Sequence, residues 1–331
     1  MASVERGRRG RILAGRLPSA GDRAARSWWA TVRDGVALMA IPVIGWQVVR
    51  AIMAPTTFTD ATAYYLAPAA DPYRLSILST PGAYLYSPAF LQVLEPLRSL
   101  PEWVFVFTIV LAEACAIFLL TGRNVGWMVF LFLPIWELSV GNVNMLLALA
   151  IVLGFRYPAA WAAVLLTKVT PGVGLLWFAV RREWRSFGVA LAATGVIAAA
   201  SFVLAPQQWE AWFGVLRANE ARPVTDAFAA QLPARIALAA VLVIWGARTD
   251  RRWTVPIAAA LATPGLSPIS ASIAIGAVPL LVYKPLPRRL GGGQPGQAGS
   301  VARSSGAESG GRTSRRPAGA RAEHAAEAPA T

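Results

Sequence analysis

The chain has 331 residues, of which 56% are hydrophobic and only 15% charged, with a mean hydropathy of +0.49 and a formal net charge of +14. A soluble domain carries nearer ~25% charged residues, so this composition excludes an ordinary globular enzyme, and several apolar runs approach the ~20 residues that cross a bilayer as helix. The one cysteine, Cys115, lies inside an apolar run and the one histidine, His324, in the C-terminal tail, which excludes an intrachain disulfide and a Cys- or His-built metal site.

The basic residues sit at the ends of apolar runs and in two tails, as the positive-inside rule expects, so the charge points to a bilayer and to no nucleic acid. Residues 1–33, with eight arginines against Glu5 and Asp22, read as a basic cytoplasmic arm. The arm is too long and too charged for a cleaved signal peptide. A first span is predicted over Gly35–Met53, with Pro42 tolerated inside it. With the arm inside, the stretch that follows lies outside. Thr59–Pro88 is neither apolar nor helix-periodic, yet it holds Asp60, Asp71 and five of the seven tyrosines: Tyr64, Tyr65, Tyr73, Tyr84 and Tyr86. A long stretch without a period is functional or disordered, and aromatic residues are rare in disorder. The reading is an ordered extracytoplasmic loop, residues 54–101, that carries the chemistry.

The second span is predicted over Trp103–Leu120, with Glu102 in its first turn, where a carboxylate suits the helix dipole. Thr121–Asn124 is a cytoplasmic turn, Trp127–Val140 a third span reaching Gly141–Asn144, and Met145–Phe155 a fourth that returns to Arg156. Trp161–Arg185 has basic residues at both ends and is interrupted by Lys168 and Pro171–Gly172. Two half-helices that enter and leave on the cytoplasmic face fit the loop charges; one straight span is the alternative and reverses everything downstream. Non-helical backbone at that depth must be buried in protein or line a wet cavity. Phe187–Ala205 spans outward, Pro206–Gln231 is a second outer loop, and Leu232–Trp245 returns to Arg248–Arg252. Val255–Thr263 and Pro268–Tyr283, parted by Pro264–Gly265, end at Lys284, Arg288 and Arg289, again inside. The chain thus reads as an all-α polytopic membrane protein of about 8–10 transmembrane segments, some broken or re-entrant. The membrane domain is 34–286, and 287–331 is a disordered cytoplasmic tail.

Five constellations carry possible chemistry. Asp60, just past the first span with Tyr64 four residues on, is placed to act as a general base, or else is a cap or a solvated loop residue. Asp71-Pro72-Tyr73 suits a turn. Tyr84-Leu85-Tyr86-Ser87-Pro88 suits either an interfacial aromatic belt or a platform for sugar rings. Gly141-Asn142-Val143-Asn144 suits a turn or a helix cap. Lys168 is the sharpest: a lysine in the middle of an apolar segment costs ~2.5–3.5 kcal/mol to insert and is usually functional. Beside the break at Pro171 it can meet a phosphate, or it can pair with Glu113 or Glu137, which also lie in apolar spans.

In this order the motifs resemble glycosyltransferase family 87, the polyprenol-phosphate-mannose-dependent mannosyltransferases of the GT-C superfamily. The resemblance rests on Asp60-x-x-x-Tyr64, Pro72-Tyr73, Tyr86-x-Pro88, Gly141-x-x-Asn144 and Lys168-x-x-Pro171 ahead of Arg181-Arg182-x-Trp184, and covers residues 35–285. It implies a GT-C-like bundle, a polyprenyl-phosphate sugar donor and a lipid or glycan acceptor. It further implies Asp60 as general base on the extracytoplasmic face of the cell membrane, with Tyr64, Asp71, Tyr73, Tyr86, Asn142, Asn144 and Lys168 as substrate contacts, and no metal or other cofactor. The family usually shows Gln where Asn142 stands, Tyr-Pro-Pro where this chain has Tyr86-Ser87-Pro88, and a Trp and a His near Ile269-Ser270-Ala271-Ser272. A catalytically inactive lipid-handling or transport protein on the same scaffold is the alternative.

Overall fold

The computed structural model describes residues 41–68, 71–74, 83–122, 132–220, 231–264 and 268–282, with Ala30 and Gly35; almost all of the N-terminal arm, the C-terminal tail, Arg123 and the end of the second outer loop lie outside them. Among the described residues all regular structure is helical. Everything below belongs to one contact unit, Met1–Lys284.

The described part of the first apolar run is helix α1, Ile41–Met53. The long loop after it is more regular than its lack of period predicts. Thr59–Leu66 forms α2 and Pro88–Arg98 forms α3. At eight residues, α2 is too short to show a 3.6-residue period across a reading window. It is held from outside: Arg98 on α3 donates from Nε to the Tyr65 carbonyl at 3.2 Å and from a terminal nitrogen to the Ala67 carbonyl, where α2 runs out of its own donors. Asp60 in its first turn suits the dipole.

Helix α4, Glu102–Thr121, and α9, Trp184–Leu204, are long and apolar enough to cross a membrane. Pro101 precedes α4 and Gly122, at φ +54°, ends it. α9 fully buries only Ala190 and Ser201 and exposes Val189, Val196, Ile197, Phe202, Val203 and Leu204. A continuous exposed apolar face of this kind marks an interaction surface, and on a helix of this length it suits lipid.

Between these lie α5, Phe132–Val140, and α6, Asn144–Gly154. The interrupted segment breaks where Lys168 and Pro171 predict it. α7, Trp161–Thr167, stops at Lys168, whose backbone is extended; a 3-10 turn over Thr170–Leu175 and a short α8, Leu176–Val180, follow. The chain folds back on itself here. A Cβ on Gly172 would stand 2.4 Å from Leu165 Cδ2, and one on Gly174 would stand 2.4 Å from Trp161 Cη2. Residues 172 and 174 therefore lie against residues 165 and 161, an antiparallel hairpin with its tip at Lys168. The segment is bent back on itself and is not one straight helix.

The expected second outer loop begins with a helix, α10, Pro206–Glu220. Proline is favoured at a helix start, and Trp209 and Trp212 turn inward, with Trp212 donating to the Leu85 carbonyl at 3.2 Å. α11, Leu232–Arg248, and α12, Thr254–Leu261, pack closely enough that Gly246 admits no Cβ beside Thr254. Small residues at such crossings let helices approach without a hydrophobic drive from lipid. α13, Pro268–Ala271, a 3-10 turn over Ser272–Gly276 and α14, Ala277–Val282, complete the described chain.

Two apolar clusters hold this together. One joins Phe58, Tyr64, Tyr84, Leu91, Phe105, Ile117 and Leu138; the other joins Trp161, Trp177, Phe178, Val243, Val255 and Ile273. α6 contributes to both, with Met145 and Ala148 in the first and Ala150 and Ile151 in the second. The polar site described next gathers at the start of that helix.

Candidate active site

The turn between α5 and α6 brings distant residues together. Gly141 sits at φ +68°, a conformation that favours glycine, and a Cβ there would stand 2.7 Å from Ala61 Cβ on α2. That close approach sets Asn142 beside Asp60: the Asn142 amide nitrogen donates to Asp60 Oδ2 at 2.6 Å, while its oxygen accepts the Val143 N–H at 2.7 Å. Asp60 is half-buried. Burial holds its carboxyl above the usual carboxylate range; the Asn142 hydrogen bond and the charge of Lys168 pull it partly back.

The same turn starts α6 on a carboxylate. Glu137, fully buried on α5, accepts the backbone N–H of Asn144 at 2.6 Å and its side-chain amide at 3.1 Å. This caps the helix N-terminus with a negative charge. Ser272 donates to Glu137 Oε2 at 2.5 Å from far along the chain. Asn144 is wholly buried, and its Oδ1 accepts from Lys168 Nζ at 2.5 Å.

Lys168 stands at the tip of the α7–α8 hairpin, half-buried, with its ammonium 5.7 Å from the centre of the Tyr86 ring. Among the described residues it forms no direct ion pair; Glu137, Asp60 and Glu113 act on its charge from further off. The expected choice between Glu113 and Glu137 as partner resolves into an indirect link, Glu137–Asn144–Lys168. Ser87, just before α3, donates to the Leu166 carbonyl, which the break after Thr167 takes out of a continuing helix.

The tyrosines form the adjoining wall. Tyr64 OH and Tyr86 OH lie 3.0 Å apart with their rings edge to face at 5.3 Å. Tyr73 OH donates to the Tyr86 carbonyl at 2.8 Å and Tyr84 OH to the Ser87 carbonyl at 3.0 Å. Tyr64, Tyr73 and Tyr84 are buried against one another, which is not the outward placement of an interfacial belt, and Tyr86 stays half-buried beside Lys168.

Of the expected site residues, Asp60, Tyr64, Tyr86, Asn142, Asn144 and Lys168 therefore meet around one polar cluster, and Tyr73 braces it. Asp71 stands apart from them. It is exposed and, among the described residues, accepts only the backbone N–H of Tyr73 at 3.3 Å, the bond of an Asp-led turn. Ser272, in the stretch where the chain departs from the family pattern, is a member that the sequence did not suggest.

No curated protein and no solved structure matches the chain. A family model described as glycosyltransferase family 87 matches residues 84–283. That stretch takes in Tyr86, the Gly141–Asn144 turn, Lys168 and Ser272, with α2 and Asp60 lying before it. Because the match extends over more than half of the chain and holds most of the cluster, the protein belongs to glycosyltransferase family 87.

Proposed function

We propose that the chain is a multi-pass membrane mannosyltransferase of the GT-C type that moves a sugar from a polyprenyl-phosphate donor to an extracytoplasmic lipid or glycan acceptor. The observation that carries the reading is the presence of a half-buried carboxylate, Asp60, and a half-buried ammonium, Lys168, at one tyrosine-lined cluster. Glycosyl transfer needs both a base and a cation. The acceptor oxygen forms a bond to the anomeric carbon as the bond from that carbon to the phosphate oxygen breaks. The acceptor proton passes to Asp60, and the polyprenyl phosphate leaves with the electron pair, its charge met by Lys168. Asn142 holds the Asp60 carboxylate in place. Tyr86, half-buried, offers the ring against which a sugar can pack, and the buried Tyr64 and Tyr73 brace it from behind. No step is assigned to Asp71.

The positions of Arg181–Arg185 and Arg248–Arg252 support a cytoplasmic location for that end of the bundle, and with it cytoplasmic termini and an outward-facing Asp60. The test is transfer by membranes containing the protein, supplied with polyprenyl-phosphate mannose. Asp60→Asn keeps size and hydrogen bonding but removes the proton acceptor, so turnover should fall ~10²–10⁴-fold while donor binding persists. Turnover equal to wild type would move the base elsewhere. Donor binding without transfer in the wild type would favour the lipid-handling alternative.

A further inference from the structure

Lys168 is not held by a carboxylate but by an amide that is itself held by one. An ammonium only donates and a carboxylate only accepts. The Asn144 side chain therefore has one workable orientation: its NH2 group toward Glu137 Oε2 at 3.1 Å, its oxygen toward Lys168 Nζ at 2.5 Å. Glu137 in turn is locked by the Asn144 backbone N–H at 2.6 Å and by the Ser272 hydroxyl at 2.5 Å. Glu137 and Asn144 are both fully buried, so neither faces a substrate. Lys168 is only half-buried.

We infer that Glu137 is a positioning residue for donor recognition, acting through the Asn144 amide to aim Lys168 while leaving its ammonium unneutralised for the donor phosphate. This rests on the reading of Lys168 as the phosphate-binding cation. A carboxylate in direct contact would form an ion pair with Lys168 and compete with an incoming phosphate. The intervening amide supplies one strong acceptor for one ammonium proton and transmits the attraction of Glu137 without closing the pair. The Tyr86 ring centre lies 5.7 Å from the same ammonium. The buried carboxylate also explains why a lysine can stand at the tip of a hairpin within an apolar bundle, since a charge there needs a compensating one nearby.

Replacing Glu137 by glutamine puts a donor where Asn144 Nδ2 or Asn144 N–H now donates. The Asn144 amide then loses its enforced orientation and can turn its NH2 group on the ammonium, two donors face to face. Replacing Asn144 by aspartate keeps the shape but sets a carboxylate directly on Lys168.

The experiment measures equilibrium binding of polyprenyl-phosphate mannose to the purified full-length protein in detergent, together with donor KM, acceptor KM and kcat, for wild type, Lys168→Met, Glu137→Gln, Glu137→Asp and Asn144→Asp. The expected result is that Glu137→Gln and Asn144→Asp each weaken donor binding and raise donor KM about tenfold or more, the scale of one charge-assisted hydrogen bond. Acceptor KM changes little, kcat falls together with donor affinity because the same ammonium meets the charge of the leaving phosphate, and Glu137→Asp recovers part of both. A merely structural role for Glu137 would lower the folded fraction without splitting donor KM from acceptor KM. A folded Glu137→Gln that binds donor as wild type does overturns the inference; if Glu137→Gln does not fold, wild-type donor binding by Asn144→Asp overturns it instead. If Lys168→Met itself binds donor normally, the phosphate-binding reading fails and the inference fails with it. If Lys168→Met binds poorly while the Glu137 and Asn144 variants bind well, only the inference fails.

Discussion

The side-chain amide of Asn142 donates to Asp60 Oδ2 at 2.6 Å across 82 positions of sequence. It is the contact that turns a carboxylate at the start of a short loop helix into part of a site built on α5, α6 and the α7–α8 hairpin. It also sets the protonation behaviour of Asp60, because burial raises the carboxyl while Asn142 and the charge of Lys168 lower it.

Activity should therefore rise with pH on an acid limb that reports Asp60 losing its proton, with an apparent pKa above the ordinary carboxylate value of about 3.9. Asn142→Ala removes one of the two opposing influences, so its acid limb should move to higher pH. A pH–rate profile of kcat/KM checks this, and a limb displaced to lower pH would contradict the assignment. The stability counterpart has a fixed sign. A carboxyl raised in the folded state contributes fully at low pH, and that contribution is lost as pH rises from the unfolded value through the raised one.

Gly141→Ala should be costly for two reasons acting at one atom. Its φ of +68° strains any residue with a Cβ, and that Cβ would stand 2.7 Å from the Ala61 Cβ. A loss of ~1–3 kcal/mol in stability is expected. Turnover should drop as well, because α2 must shift away from Asn142. Thermal unfolding in detergent and the transfer assay together check this; a variant of wild-type stability and activity would contradict the close approach.

Arg235 makes a different kind of contact. It is buried on α11 and donates to the carbonyls of Leu261 at 3.1 Å, Thr263 at 2.8 Å and Pro264 at 2.9 Å, which closes the end of α12. Arg235→Met keeps the apolar stem and removes the donors, so it should cost ~2–5 kcal/mol. Donor and acceptor KM in the fraction that remains folded should match wild type.

Orientation in the bilayer is open to labelling. With Cys115 first replaced by alanine, Arg74→Cys should react with a membrane-impermeant thiol reagent added outside, and Arg182→Cys only after permeabilisation. Both positions are accessible, Arg74 and Arg182 each being exposed. The opposite pattern would reverse the bundle and place Asp60 on the cytoplasmic side.

Much of this was legible in the chain itself. The apolar runs foretold α4, α6, α9 and α11 to within a few residues, because a buried or lipid-facing apolar run must satisfy its backbone polar groups internally, as a helix does. The break at Lys168 was legible for the same reason: a charge, a proline and a glycine together cannot continue an apolar helix. α2 and α10 were hidden, the first too short to show a period and the second interrupted by polar residues that its tryptophans outweigh by turning inward. Asp60 and Asp71 could not be ranked by sequence, since each is an aspartate near tyrosines.

What the sequence alone determined, then, is an all-helical chain with a lysine at a broken apolar segment and carboxylates to spare. Only the tertiary structure decided which carboxylate serves which partner. Glu137 meets Ser272 across 135 positions and Asp60 meets Asn142 across 82. Such pairings depend on where helices cross, and a crossing is set by side-chain shape on both faces at once, down to a glycine against an alanine, and not by the pattern along either helix.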